Sequence, residues 1–438
     1  AELALEGDVL TERARRALLW ALATGDKART RHEVRVLESA LNIVRSAASA
    51  LPDGGGLETR ARVRLLETQL LVMKADYRGA AEAAAEAAAI ADEAGSLGLV
   101  ATARRTEALI QMWSGERSIE DFARTVERAV EACRKAGDLP GEIGARFIGS
   151  FVAFSQGDLQ AFVEVNERLI EQARAIGDAA QEAAITARLV PAERMRGNAA
   201  VSLRRAKEAE DIAVAHGFRD VLLRLEFDRA AKHLFDGDLT AAEAAVRRYA
   251  FDAAEAGAVQ HQISALRFLG FTLLYAGRFA ESARVADQAL ELSEVSGERW
   301  NRSELLGLRA RAALELGDLD AADRFVDRAV VSLRDGDITA IAEVNIQLGL
   351  IRVAQGRDEE AESALRHGLH VVAHTEYLLP RAESALALAT FLAQRGRLDE
   401  AGALSEEYGE ITERLGWKRL AAAYAETRRT ISEKQAIE

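Results

Sequence analysis

Three histidines, His367, His370 and His374, stand at i, i+3 and i+7. On a helix this spacing points the imidazoles within about 60° of one another, and three such rings suit Zn²⁺ or Ni²⁺ if water or a fourth ligand completes the shell. Against the metal reading, the apolar stripe of the same segment is Ala361, Leu365, Gly368 and Val372, which puts the histidines on the opposite, solvated face. There His374, near a helix end, would simply complement the negative end of the helix dipole. The triad is carried forward as a weak metal candidate, with no cofactor expected. Cys133, the single cysteine, lies beside Ala132 with no histidine near it in sequence, and reads as a small packing residue rather than a nucleophile. No phosphate loop, dinucleotide-binding glycine fingerprint, Gly-x-Ser-x-Gly elbow or His-Glu-x-x-His pair occurs. The many carboxylates are what solvated helix faces require. The chain is therefore expected to be no enzyme.

What would position any such residues is a repeated helical element. A short polar turn recurs at Gly25-Asp26, Ala75-Asp76, Gly115-Glu116, Gly157-Asp158, Gly197-Asn198, Gly237-Asp238, Gly277-Arg278, Gly317-Asp318, Gly356-Arg357 and Gly396-Arg397, at intervals of 39 to 42 residues from position 75 onward. A second glycine series lies halfway between, from Gly95 to Gly416, with His374-Thr375 replacing the glycine once. The segments between are too long for ordinary strands and rich in Ala, Leu, Glu and Arg, the strongest helix formers. Glycine suits the left-handed position that ends a helix, and the Asp or Asn after it can cap the next one. The chain thus reads as a string of helical hairpins. Its 438 residues carry a net charge of −13, which opposes direct nucleic-acid binding. It has no apolar run long enough for a membrane span, no signal peptide opens it, and a cytoplasmic location is expected.

Small residues repeat as well. Seven residues before the turn glycines stand Ala108, Ser150, Val190, Ala230, Gly270, Ala310, Gly349 and Ala389; five residues after them come Ser202, Ala242, Ser282, Ala322, Ala361 and Ala401. Leu269-Gly270, Gly277 and Ser282, repeated as Leu348-Gly349, Gly356 and Ala361, resemble the tetratricopeptide (TPR) signature, although the period is 40 rather than 34. The longer repeats look like the MalT-like sensor arms of large bacterial ATP-binding regulators. The resemblance implies an all-α fold, a right-handed superhelix (α-solenoid) of about ten hairpins. Residues 1–56 would hold the first hairpin and a Gly-rich break, 57–416 the repeat superhelix, and 417–438 a C-terminal capping helix. Pro191, inside a predicted helix, is expected to kink it.

In the TPR register, the first helix of each hairpin faces the concave groove at positions two, six and ten before the turn glycine. Over the five hairpins turning at Gly115, Gly157, Gly197, Gly237 and Gly277, these fifteen positions hold seven aromatics: Trp113, Phe147, Phe151, Phe227, Phe235, Phe271 and Tyr275. The overall aromatic content of 5% would place about one there. Arg105 and Arg267 share these rows and Arg194 is adjacent. Such a stripe suits a protein or peptide partner, or a small-molecule effector such as a sugar. The competing reading is that the aromatics pack against the next repeat. Function is accordingly expected to be protein interaction or sensing, and the MalT-like resemblance implies the C-terminal regulatory arm of a bacterial signalling or transcription-regulatory ATPase. An effector sensor is the alternative, and an α/α-toroid enzyme a third, disfavoured by the short turns.

Overall fold

The computed structural model describes residues 41–45, 56–73, 76–115, 118–255 and 258–436. Of the hairpin and Gly-rich break expected within 1–56, only residues 41–45 and Gly56 are among these, and the rest lies outside. The expected all-α superhelix of TPR-like hairpins is what the chain forms, and no strand occurs among the described residues. Beyond the short helical stretch 41–45, nineteen helices occur among the described residues: α1 (Leu57–Met73), α2 (Tyr77–Glu93), α3 (Leu97–Ser114), α4 (Ile119–Ala136), α5 (Leu139–Ser155), α6 (Leu159–Ala175), α7 (Ala179–Met195), α8 (Ala199–His216), α9 (Arg219–Phe235) and α10 (Leu239–Glu255) form the first five described hairpins. They continue as α11 (Val259–Tyr275), α12 (Phe279–Ser296), α13 (Arg302–Glu315), α14 (Leu319–Val331), α15 (Ile338–Ala354), α16 (Asp358–Ala373), α17 (Leu378–Gln394), α18 (Leu398–Arg414) and the last helix, α19 (Lys418–Gln435). No helix among the described residues is long and apolar enough to cross a membrane.

The local chemistry follows the repeat. Gly157, Gly197, Gly237, Gly277, Gly317, Gly356 and Gly396 hold φ between 72° and 82°, the region an L side chain avoids. The aspartates behind them cap the following helices: Asp158 accepts from the Ala161 amide at 2.9 Å, and Asp318 from the Ala321 amide at 2.9 Å. The small positions bring paired helices together. Ser202 donates to the Val190 carbonyl and Ser282 to the Gly270 carbonyl, each at 2.8 Å, so the hydroxyl at one small site grips the backbone at the other. A Cβ at Gly270 would stand 2.4 Å from Leu308 of the next hairpin, and one at Gly349 2.5 Å from Leu365 of its own. The alanine-rich segment 80–91 lies in α2 with Ala80, Ala83, Ala84, Ala87, Ala88 and Ala91 buried. Pro191 leaves α7 unbroken, for it is buried one turn from the helix end, where a single ladder bond is lost.

Odd-numbered helices form the inner wall and even-numbered ones the outer. The superhelix comes round so that its second turn seats against the first. Glu376 N donates to the Gly157 carbonyl at 3.3 Å, and Ile119 N to the Asp335 carbonyl at 3.4 Å. Tyr377, fully buried, donates its hydroxyl to the Phe154 carbonyl and meets the Phe154 ring edge-on at 5.6 Å. Glu376 accepts from the Gln160 amide and pairs with Arg196 at 3.2 Å. A Cβ at Gly197 would stand 2.8 Å from Leu415 and 3.4 Å from Leu378, and one at Gly237 3.9 Å from Lys418. This seam joins the turns of the early hairpins to the linkers between the late ones.

Candidate ligand-binding site

Closing the seam turns the groove into a chamber. Its cavity of about 510 Å³ is walled by odd-numbered helices of both superhelical turns and by the linkers before them. Phe154, Met195, Leu234 and Phe235 come from the first turn; Phe268, Phe271, Tyr275, Trp300, Leu350, Tyr377 and Leu386 belong to α11 and the second. A larger depression of about 650 Å³ lies between α4, α5 and α6. It opens to solvent past exposed Glu127, Glu131, Gln156 and Asp158, and carries no converging buried polar groups.

Four of the ten residues singled out from the sequence line the chamber: Phe235, Arg267, Phe271 and Tyr275. Phe271 and Tyr275 stack at 6.3 Å, and the Arg419 guanidinium stands over the Tyr275 ring at 4.0 Å. Arg194 reaches the chamber's edge, its guanidinium 5.7 Å from the Phe235 ring while it pairs with Asp228 at 3.3 Å. The others serve packing. Phe151 is buried in a ring cluster with Phe147 at 5.9 Å and Phe162 at 5.9 Å. Phe227 packs on Phe268 at 5.1 Å and Tyr249 at 5.5 Å. Trp113 is half-buried against the cluster of Met112, Phe122, Ile148 and Phe151, and Arg105 lies beside Gly144. His367 and His370 on α16 and His374 at its C-terminal end are all exposed, and no group of three or more His, Cys, Asp or Glu among the described residues is placed to hold a metal ion. Cys133 is fully buried, and burial pushes its thiol above the usual range.

The inner wall carries charge in two blocks that the sequence reading passed over. Toward the first turn, Arg194 and Arg224 both face the one buried carboxylate Asp228, at 3.3 and 3.6 Å. Arg188 lies over Phe151 at 5.3 Å, and burial together with Arg224 pushes it down to about 9. Burial, then Arg188 and Arg224, drives His261 to about 3, so it stays neutral beside the Tyr249 hydroxyl at 2.6 Å. In the second turn the excess is acidic. Glu304, Glu343 and Glu383 occupy one row, thirteen residues before Gly317, Gly356 and Gly396. Arg267 lies 3.7 Å from Glu304 and 3.5 Å from Glu343, and Arg419 pairs with Glu383 at 2.7 Å. Burial pushes Glu343 up to about 8, with Arg267 opposing and Glu304, Glu383 and Asp337 adding to the rise. The buried Glu298, held by Asn301, is pushed up to about 7, chiefly by burial. The signal for this block was available: it is the groove row read one helical turn earlier.

No protein-family model and no curated protein sequence matches the chain. Among solved structures, a Rap protein complexed with Competence and Sporulation Factor matches at TM-score 0.52 and 13% identity, covering 95% of this chain and 99% of that one. Aspartyl phosphate phosphatase F from Bacillus subtilis matches at TM-score 0.47 and 13% identity over 93% of each. A signal-transduction ATPase with a tetratricopeptide repeat sensor from Pyrococcus horikoshii gives TM-score 0.44 and 14% identity, over 85% of this chain and 55% of that one. At such identities the likeness to the Rap protein shows a shared superhelical fold and nothing finer.

Proposed function

We propose that this protein is a non-catalytic regulatory superhelix whose chamber binds a peptide segment, its occupancy setting how the two superhelical turns sit against each other. The observation that carries this reading is the double origin of the chamber wall. Phe154, Met195 and Phe235 belong to the first turn, and Glu343, Tyr377 and Arg419 to the second. A ligand touching both interacts differently with a closed and an opened seam, and this difference is what lets binding shift a conformational equilibrium. Small rotations then accumulate along a solenoid, because each hairpin rests on its neighbours. The Rap structure holds a protein complexed with a named factor, which supports ligand binding by this fold without specifying it for this chain. Control of an ATPase by such an arm belongs to the same proposal, supported by the resemblance of the repeats to MalT-like arms.

The test is selection of a displayed random-peptide library on the intact chain, followed by hydrogen-exchange mapping. Bound peptides should protect α11, α15 and α17 and lose affinity in Phe271→Ala. Binders that protect only even-numbered helices, or that ignore this substitution, would sink the reading. A small effector is the second reading, favoured by the cavity volume of about 510 Å³, inside the range typical of small-molecule sites. Thermal-shift screening against sugars separates the two.

A further inference from the structure

We infer that the second-turn side of the chamber is a subsite for an organic cation, a guanidinium or ammonium on an apolar stem, as an arginine or lysine side chain of the bound peptide would present. This rests on the chamber being a binding site, and deepens that reading by naming the group it selects.

The chemistry follows from what the wall leaves unsatisfied. Gln347 is 6% exposed and Ser384 fully buried; both line the cavity, and the Gln347 carbonyl oxygen and Ser384 hydroxyl have no hydrogen-bond partner. Glu343 Oε1, also on the lining, is buried without a partner. Gln347 lies four residues after Glu343, so both acceptors project from one face of α15. A buried acceptor without a partner is costly, and the complement to two such oxygens is a group with several N–H donors. Arg267 supplies part of this but is shared between Glu304 and Glu343 at distances too long for close pairing of both, and its Nε, like that of Arg419, has no acceptor of its own, so the wall's own guanidinium groups do not satisfy these oxygens. The charge balance agrees. Glu304, Asp337, Glu343 and Glu383 on the wall are set against Arg267, Arg311 and Arg419, one acidic group more than there are bases. Phe271 and Trp300 supply apolar surface for the stem, and the Phe271 ring attracts a cation, the Trp300 ring already carrying the Arg334 guanidinium at 4.2 Å. The groups facing Glu343 are Arg267 and Tyr275 of α11, Glu304 of α13, Asp337 at the head of α15 and Glu383 of α17. A cation arriving among them favours the ionised carboxyl, so its binding releases protons and strengthens from pH 6 to pH 9.

The experiment takes a library-selected peptide that footprints on the chamber, replaces each arginine in turn by citrulline, its uncharged isostere, and measures affinity calorimetrically; agmatine, a guanidinium on a free apolar stem, is titrated in parallel. One arginine should stand out, its citrulline form binding about tenfold to a hundredfold more weakly, as for a charge-assisted hydrogen bond. Glu343→Gln should shrink this discrimination severalfold at pH 8. Should that variant fold poorly, the citrulline series on the unmodified protein decides alone. Chamber-binding peptides that lack arginine and lysine, or that tolerate every citrulline within twofold, overturn the cation subsite while leaving the peptide reading standing. Agmatine bound in the chamber with no peptide bound upholds the cation subsite for a free amine and overturns the peptide reading. If neither binds there, both fall.

Discussion

Tyr377 is the most informative single site, because its side chain bridges the two superhelical turns at the centre of the seam. It is fully buried, donates to the Phe154 carbonyl and packs edge-on against the Phe154 ring at 5.6 Å. Tyr377→Phe removes only the hydroxyl and should cost about 1 kcal/mol, the net worth of one neutral hydrogen bond. Tyr377→Ala also removes the ring and should cost about 3 to 5 kcal/mol, the usual range for truncating a buried aromatic. Where that loss appears matters more than its size. The hairpins rest on their sequence neighbours, so helix content in the native state should be unchanged. Amides near Gly157 and Glu376, which the seam pairs, should exchange faster, and small-angle scattering should show a larger radius of gyration. Unchanged exchange at the seam and an unchanged radius in Tyr377→Ala, together with a uniform loss of stability, would refute the claim that this contact closes the chamber.

Three further perturbations test other parts of the account. Glu298 has its carboxyl raised from 4.5 to about 7 by burial, so the native state keeps a proton that the unfolded chain gives up; its contribution to stability falls between about pH 4.5 and pH 7 and levels off above. Glu298→Gln should therefore gain about 2 kcal/mol relative to wild type between pH 5.5 and pH 8 in paired urea titrations, and a pH-independent difference would contradict the burial argument. Gly349→Ala should destabilise by about 1 to 3 kcal/mol despite alanine's better helix propensity, since the added methyl would meet Leu365 at 2.5 Å and the Ala361 carbonyl at 3.3 Å; a stabilised variant would show that α15 and α16 can spread at no cost. Phe151→Asp places a carboxylate among buried rings and should cost several kcal/mol by chemical denaturation, whereas a loss under about 0.5 kcal/mol would mean the ring faces an open groove.

The hairpin architecture was legible because its determinants are local. A left-handed turn glycine, a capping aspartate and a small residue at the helix contact each act within one hairpin, so forty-residue spacing exposes them all. The chamber was legible only in part. Phe235, Arg267, Phe271 and Tyr275 were found by carrying the groove register along the chain. Glu304, Glu343 and Glu383 were passed over because a carboxylate on a helix normally faces water, and composition does not mark the few that face inward. Phe147, Phe151 and Phe227 occupy groove rows yet pack on neighbouring rings, as the competing reading allowed. The seam was not legible from periodicity, since Phe154 and Tyr377 meet across more than two hundred residues of sequence. One irregularity pointed to it: His374-Thr375 stands where the repeat has glycine, and Thr375 is a residue against which Gly157 seats.

The seam also limits how the chain could have grown. An ordinary solenoid gains or loses a repeat at small cost, because each new unit brings its own two interfaces. Here the turn at Gly157 must meet Ile338 and Thr375, and the turn at Gly197 must meet Leu378 and Leu415. Duplicating or deleting one forty-residue unit between these partners would bring each turn opposite the wrong linker, as one extra tooth on a gear spoils every mesh that follows. Units added beyond either end of the paired region would leave the seam in register. Repeat number is thus fixed in the middle and free at the ends, so length variation among descendants of this protein should gather at the termini.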